Sequence, residues 1–161
     1  MTIRLGEVLV KQGLLTPDQV DAILEEQQRC RRPFGELAEA LFGLRARDVE
    51  LAWAHQYARI TEHVDPRRES IEPHVVAMID RRQAWQFRII PLRRDGSEIM
   101  IATIIEHLPR AMRFALRHFG EPCYFVISRA DALGEALVTH FPMDGMTPAA
   151  VLGDLSTSSD F

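Results

Sequence analysis

Residues 4–27, RLGEVLVKQGLLTPDQVDAILEEQ, and residues 33–56, PFGELAEALFGLRARDVELAWAHQ, decide the fold of this chain. The second stretch repeats the first without a gap, so that Gly6 aligns with Gly35. Self-similarity over this length indicates one helical unit that is present twice. Two copies so close in sequence predict a small module with internal pseudo-twofold symmetry, which suits a symmetric ligand or a symmetric partner.

The first copy has the apolar spacing and the end signals of two short helices. Its periodicity predicts helices over residues 4–12 and 17–30. Gly13 supplies the left-handed residue that commonly ends a helix. Thr16 and Gln19 have the capping-box spacing that starts the next one.

The second copy repeats this plan with small changes. Pro33 is suited to the first turn of the third helix. Gly43 comes one position later than its counterpart in the first copy, so we expect this helix to be one residue longer. The fourth helix is predicted over residues 46–58. Helices this short are unstable alone, so the four must stack to bury their apolar stripes.

The remainder of the chain predicts a second, mixed domain. A polar stretch with prolines over residues 60–72 reads as a linker, and Asp95-Gly96 between two apolar runs is a strong hairpin signal. Ser128 can cap the last helix. The predicted elements are helix 73–82, strands 86–93 and 98–103, helix 109–118, strand 123–128 and a final helix to residue 140.

The fold class that follows is α+β. An N-terminal four-helix module, made of two helical-hairpin repeats, occupies residues 1–59. After the linker at 60–72, a small α/β sandwich with the order αββαβα occupies residues 73–141. Residues 142–161 lack periodicity and are predicted to be a flexible tail.

Composition excludes several classes of protein. With 161 residues, 47% apolar and 26% charged, the chain resembles globular proteins. No apolar run approaches the roughly 20 residues of a membrane-spanning helix, and we expect a cytoplasmic protein. A net charge of −4 opposes non-specific nucleic-acid binding. Cys30 and Cys123 lack metal-ligand or disulfide spacing.

The first repeat resembles a known family through Arg4-Leu5-Gly6, Leu9-Val10, Gly13, Leu24 and Gln27. These residues are similar to the half-motif of the MshEN-type domain, which stands at the N-terminus of type II secretion and type IV pilus assembly ATPases. The region from Ile71 to His140 also resembles the second N-terminal subdomain of those ATPases.

The resemblance implies a ligand. In the family, two such units clasp the two halves of one cyclic di-GMP molecule. Helix N-termini with glycine in the first turn can receive phosphates, and arginine can pair with guanine. The ligand-binding residues that the resemblance implies are Arg4, Leu5, Gly6, Leu9, Gly13, Gln27, Arg32, Phe34, Gly35 and Gln56. The alternative interpretation is that Gly13 and Gly43 only cap helices and that Gln27 and Gln56 only hold helix ends.

The second repeat departs from the family pattern at several positions. Pro33 stands where the family has arginine, Phe34 where it has leucine, and Phe42 where it has glycine. Arg32 is adjacent to the missing arginine, and we expect it to reach the same guanine. Half of a symmetric site therefore differs from the family.

Catalysis has little support in the sequence, and an enzymatic function is a distant third interpretation. A phosphate-binding loop of the form Gly-x-x-x-x-Gly-Lys-Ser/Thr is absent, and the single lysine, Lys11, lies within the first predicted helix. The ATPase activity of the larger relatives cannot reside here, and neither a metal nor another cofactor is expected.

The function expected is that of a cyclic di-GMP sensor or adapter that acts on a protein of a secretion, pilus or polysaccharide-synthesis apparatus, without nucleic acid or membrane insertion. The alternative is an interaction module that docks such a protein through the same helices without nucleotide. The second repeat decides between them.

Overall fold

The structure, a computed structural model, describes residues 5–153. Its contacts divide the chain into two compact units, Met1–Ile60 and Thr61–Phe161. The α+β class with an N-terminal helical module is confirmed. Within the described residues, no helix is both long enough and apolar enough to cross a membrane.

The first unit contains the four predicted helices. Both left-handed glycines end a helix, with φ of 75° at Gly13 and 67° at Gly43. The capping box at Thr16 and Gln19 is present in both directions. Pro33 precedes the third helix as its N-cap and does not lie in its first turn as predicted. The helices are α1 Leu5–Lys11, α2 Pro17–Cys30, α3 Phe34–Phe42 and α4 Ala46–Ile60.

The two repeats are interleaved around one core. Helix α1 packs mainly against α4, and α2 mainly against α3, so the first helix of each copy lies on the second helix of the other. Leu9, Ile23 and Ala52 are completely buried where these pairs meet. Each copy alone would leave its apolar stripe in water, and the exchange of partners covers both stripes.

The second unit is a three-stranded sheet with helices packed on it. The strands lie in the order β1-β2-β3, with β1 and β2 antiparallel and β2 and β3 parallel. Gly96, with φ of 63°, makes the predicted hairpin turn. The elements are α5 Pro73–Val76, α6 Arg81–Phe87, β1 Ile89–Asp95, β2 Glu98–Thr103, a 3₁₀ turn Ile105–His107, α7 Leu108–His118, β3 Cys123–Ile127, α8 Ala130–His140 and α9 Ala150–Gly153.

The single helix predicted over residues 73–82 is wrong, because the chain forms the two short helices α5 and α6. The Asp80 carboxylate accepts a hydrogen bond from the Gln83 backbone N–H, and the Gln83 side-chain oxygen accepts one from the Asp80 backbone N–H. This capping box starts a new helix where continuation was expected. Helix α6 then extends to Phe87, so the first strand begins at residue 89 and not at 86.

The prediction that Ser128 caps the last helix is also wrong. The N-cap of α8 is Arg129, which makes no capping hydrogen bond with its side chain. The Ser128 hydroxyl donates instead to the Arg129 backbone carbonyl, 2.9 Å away. The Ser128 side chain therefore bonds to the residue before α8 and does not cap the N–H groups of the helix.

The stretch predicted as a linker begins the second unit and pairs with β3. The Val64 N–H donates to the Ile127 carbonyl at 2.8 Å, and the Ile127 N–H donates to the Glu62 carbonyl at 3.0 Å. The Thr61 hydroxyl adds a bond to the Phe125 carbonyl at 2.9 Å. The segment covers the edge of β3, because the backbone N–H and C=O groups of an edge strand would otherwise lack partners.

The flexible tail predicted from residue 142 is wrong from Pro148 to the end of helix α9. Helix α9 packs on α8, and Val151 is completely buried. The buried Arg88 guanidinium donates to the backbone carbonyls of Ala150 at 3.0 Å and Val151 at 3.1 Å. Satisfied carbonyls and a buried apolar anchor hold this segment in place. Residues 154–161 lie outside the described residues.

Candidate functional site

The candidate ligand-binding residues belong to the helical unit, and the structure describes all of them except Arg4. The first residues of α1 and α3 lie near one another, since Gly6 is close to Phe34 and Gly35 is close to Leu5. A helix N-terminus carries unpaired backbone N–H groups and a partial positive charge. The arrangement therefore places two weakly positive ends side by side.

Gly6 and Gly35 are the residues that permit this approach. A Cβ atom on Gly6 would lie 3.0 Å from Val20 Cγ1 and 3.2 Å from Phe34 Cζ. A Cβ atom on Gly35 would lie 2.6 Å from Val49 Cγ1 and 3.9 Å from a methyl group of Leu5. Each glycine thus faces the valine of its own copy and the residue that precedes the glycine of the other copy.

The contacts between the two copies follow the symmetry of the sequence repeat. The pairs Gly6–Phe34 and Gly35–Leu5 occupy equivalent positions in the two copies, and both connect α1 with α3. Sequence reasoning assigned Leu5 and Phe34 to a ligand, whereas the structure shows that both half-buried side chains also pack against the unit's core. Val20 and Val49 occupy the same position in the two copies, which is a sequence signal that could have predicted this packing.

Packing explains Leu9 and backbone conformation explains Gly13, without a ligand. Leu9 is completely buried in the helical core, so its side chain has no surface to offer a ligand in this conformation. Gly13 is exposed, and a Cβ atom there would have no neighbour within 4 Å. Its left-handed backbone conformation alone accounts for a glycine at the end of α1.

The polar candidates lie at the turn between α2 and α3 and on α4. The Gln27 side-chain amide donates to the Arg32 backbone carbonyl at 3.2 Å, as expected for a residue that holds a helix end. The Arg32 guanidinium lies 3.2 Å from the Glu36 carboxylate, and both side chains are about half exposed. Gln56 is half-buried on α4. Arg32 uses one guanidinium nitrogen for Glu36, and its remaining N–H groups are available to a ligand.

In the second unit, ion pairs at the surface shift the pKa values of carboxyl groups. The Arg67 guanidinium, which donates to both Asp65 oxygens, lowers the pKa of that carboxyl group to about 2. Hydrogen bonding to Arg94 lowers the pKa of Glu121. Within residues 5–153, no three His, Cys, Asp or Glu side chains are placed to hold a metal ion.

Comparison with known proteins identifies the family. The model of the MshEN domain matches residues 60–147, which is more than half of the chain, and the chain therefore belongs to the MshEN domain family. The matched stretch lies almost entirely within the second unit, Thr61–Phe161. The helical repeat, from which the resemblance was first drawn, lies outside the match.

Two solved structures show similarity to the chain. A structure of MshE with cyclic di-GMP is 21% identical, with a TM-score of 0.50, and the similarity covers 86% of this chain and 99% of that one. Coverage of this extent continues from the second unit into the helical repeat. The N-terminal domain of XpsE is 15% identical over 86% of this chain and 93% of that one, with a TM-score of 0.46. Among curated protein sequences, none matches the chain significantly.

Proposed function

We propose that the helical unit binds cyclic di-GMP and that the chain acts as a non-catalytic sensor or adapter in the cytoplasm. The observation that supports this most is the reciprocal packing of Gly6 on Phe34 and of Gly35 on Leu5, which brings two helix N-termini together in a symmetric arrangement. Membership of the MshEN family and the nucleotide in the related MshE structure support the choice of ligand.

The proposed contacts follow from charge and shape. The phosphates lie at the beginnings of α1 and α3, where backbone N–H groups have no partner within the helix. Arg32 pairs with one guanine, while Arg4 pairs with the other. Leu5 and Phe34 lie beside the bases, Gly6 and Gly35 let the backbone approach, and Gln56 completes the surface on α4. Leu9, Gly13 and Gln27 support the site by holding the helices in place.

The proposed output is a change in the relative orientation of the repeats. Because α1 lies on α4 and α2 on α3, a ligand that spans both copies contacts both helix pairs at once. It shifts the arrangement only as far as its affinities for the two arrangements differ. The surface that changes is then presented to a protein of a secretion, pilus or polysaccharide-synthesis apparatus.

Calorimetry tests the proposal directly. Cyclic di-GMP is expected to bind selectively over GMP and ATP. Arg4→Ala and Arg32→Ala should each weaken binding by about 1–3 kcal/mol, or roughly 5-fold to 150-fold, the value of one good arginine–guanine contact. Arg29→Ala is the matched control, because Arg29 is an exposed arginine near Arg32, in the last turn of α2, with a long 3.8 Å ion pair to Glu26. Unchanged binding in both arginine variants would refute the site.

A second function is favoured by the polar contacts. Gln27 already bonds to the backbone of Arg32, and Arg32 already pairs with Glu36, so both side chains have partners within the protein. Both interactions fit a nucleotide-independent module that docks its partner through the same helices. Absence of any heat with cyclic di-GMP, in a chain whose helices are folded by circular dichroism, would select this second function.

A further inference from the structure

Arg31 caps the end of helix α2 in a backbone conformation that arginine rarely adopts. Its φ of 55° and ψ of 25° lie in the left-handed region. A residue with a Cβ atom in this region lowers the folding equilibrium by about fivefold to thirtyfold, because the Cβ atom comes too close to the following carbonyl oxygen. Strain of this kind persists only where something compensates for it, and it is concentrated at functional sites.

The backbone at this position would be served equally well by glycine. Helices α1 and α3 of the same unit end at Gly13 and Gly43, which have φ of 75° and 67°. The cap bond of α2 runs from the Arg31 backbone N–H to the Gln27 carbonyl at 2.9 Å, so it is made by the main chain alone. The side chain of Arg31 is therefore not what ends the helix.

Arg88, the other arginine with positive φ in the described part of the chain, shows what compensation looks like. Its guanidinium is buried and donates to the backbone carbonyls of Trp85, Ala150 and Val151. Hydrogen bonds from a charged donor are strong enough to offset the strain. Arg31 has the opposite surroundings, because it is exposed and its side chain forms neither a hydrogen bond nor an ion pair within residues 5–153.

The neighbouring arginines do have partners. Arg29 lies 3.8 Å from Glu26, and Arg32 lies 3.2 Å from Glu36. A positive charge near an exposed helix C-terminus changes the equilibrium by only about twofold to fivefold, which is less than the strain, and Arg29 already supplies such a charge in the last turn of α2. The compensation for Arg31 is therefore sought in another molecule.

The position of Arg31 indicates which molecule that is. Helix α3 begins at Phe34, three residues further on, so the two Cα atoms are at most about 11 Å apart. The turn between them is held compact, because the Gln27 side-chain amide donates to the Arg32 carbonyl at 3.2 Å. The long side chain of Arg31 is thus within reach of the beginning of α3.

We propose that Arg31 binds a phosphate of cyclic di-GMP at the beginning of α3. This contact rests on the proposed function, which places a phosphate there. A phosphate oxygen is a charged acceptor of the kind that the Arg31 guanidinium lacks among the described residues. In the alignment of the repeats Arg31 corresponds to Thr2, so the contact belongs to the second copy alone. It gives this copy a positive charge that Pro33 does not supply.

Calorimetry of the full chain with cyclic di-GMP tests the contact. Arg31→Gly and Arg31→Asn should each weaken binding about fivefold or more, whereas Arg31→Lys keeps the charge and should bind within about threefold of wild type. Arg29→Ala removes the same charge two residues away and should stay within about twofold.

Hydrogen exchange of the same variants separates a ligand contact from a structural role. Glycine and asparagine tolerate the left-handed conformation, so peptides from α2 and α3 should exchange no faster in Arg31→Gly and Arg31→Asn than in wild type. Weaker binding with undiminished protection is the signature expected of a residue that touches the ligand.

Failure of this contact is distinguishable from failure of the proposed function. Wild-type binding that is unchanged in Arg31→Gly and Arg31→Asn would overturn the contact and leave the proposed function standing. Weaker binding with faster exchange in α2 and α3, an equal loss in Arg29→Ala, or a loss in Arg31→Lys equal to that in Arg31→Asn would also overturn it. Absence of cyclic di-GMP binding to the wild-type chain would remove the proposed function and this contact together.

Discussion

Replacement of Gly35 by alanine tests whether the paired glycines serve helix packing or the approach of a ligand. The added Cβ would lie 2.6 Å from Val49 Cγ1, a distance at which something must move. Valine is stiff about its first side-chain torsion, so the methyl group cannot turn away freely. Overpacking of this kind costs about 1–3 kcal/mol, and the better helix propensity of alanine returns up to about 1 kcal/mol. We expect a net loss of about 1–2 kcal/mol from the helical unit.

Gly6→Ala provides the graded comparison. Its Cβ would lie 3.0 Å from Val20 Cγ1 and 3.2 Å from a ring atom of Phe34, so a shift of a few tenths of an ångström suffices. The expected loss is below about 1 kcal/mol, because the gain in helix propensity offsets most of it. The double variant Gly35→Ala/Val49→Ala should recover about 1–2 kcal/mol relative to the sum of its single variants, because the clash is removed.

Native-state hydrogen exchange by mass spectrometry is the appropriate assay, because it reports on the two units separately. Peptides from α3 and α4 should exchange faster in Gly35→Ala by about tenfold for each 1.4 kcal/mol, while peptides from β1 and β2 stay unchanged. Equal exchange in Gly35→Ala and wild type, combined with lost cyclic di-GMP binding, would refute the packing argument and assign the glycine to the ligand.

Three further predictions concern the second unit. Gly134→Ala places a Cβ atom 2.5 Å from the Pro148 carbonyl oxygen and should lower the free energy of unfolding by about 1–3 kcal/mol, because it displaces residues 148–153. Gly120→Ala, whose Cβ atom would have no neighbour within 4 Å, should be close to neutral. Urea unfolding compares the two variants. Arg88→Met leaves the Ala150 and Val151 carbonyls without their donors and should speed proteolysis in that segment. A cleavage rate equal to that of wild type would show that the Arg88 hydrogen bonds do not hold the segment in place. The pKa of Asp65 is lowered from 3.8 to about 2, so its stabilising effect is present above about pH 4 and is lost as the pH falls toward 2. Acid titration of Asp65→Asn should therefore show a deficit relative to wild type that shrinks over this range.

Local signals in the sequence were sufficient for the helical unit. Its caps are short-range, because Thr16 needs only Gln19 and Gly13 needs only its own backbone freedom, and both were predicted correctly. The hairpin at Gly96 is local in the same way. The break before α6 was also readable, since Asp80 and Gln83 have capping-box spacing, but the apolar residues around it suggested one continuous helix.

The candidate site divides differently between sequence and structure. The repeat and the family resemblance came from the chain alone, together with the list of residues that the family would use. Which of them face the surface depends on packing: Leu9 is buried, Gln27 bonds to the backbone of Arg32, and Arg32 is paired with Glu36. Arg4 stays a prediction, because it lies outside the described residues.

By itself the sequence determined where most helices and strands start and stop, because those signals act over three or four residues. Only the tertiary structure decided how the two repeats exchange partners, why Gly6 faces Phe34, and that helix α9 packs against α8 and accepts hydrogen bonds from Arg88. These features depend on pairs far apart in the chain, whose contacts offset the entropy of ordering only once both elements are formed. No local pattern therefore predicts them.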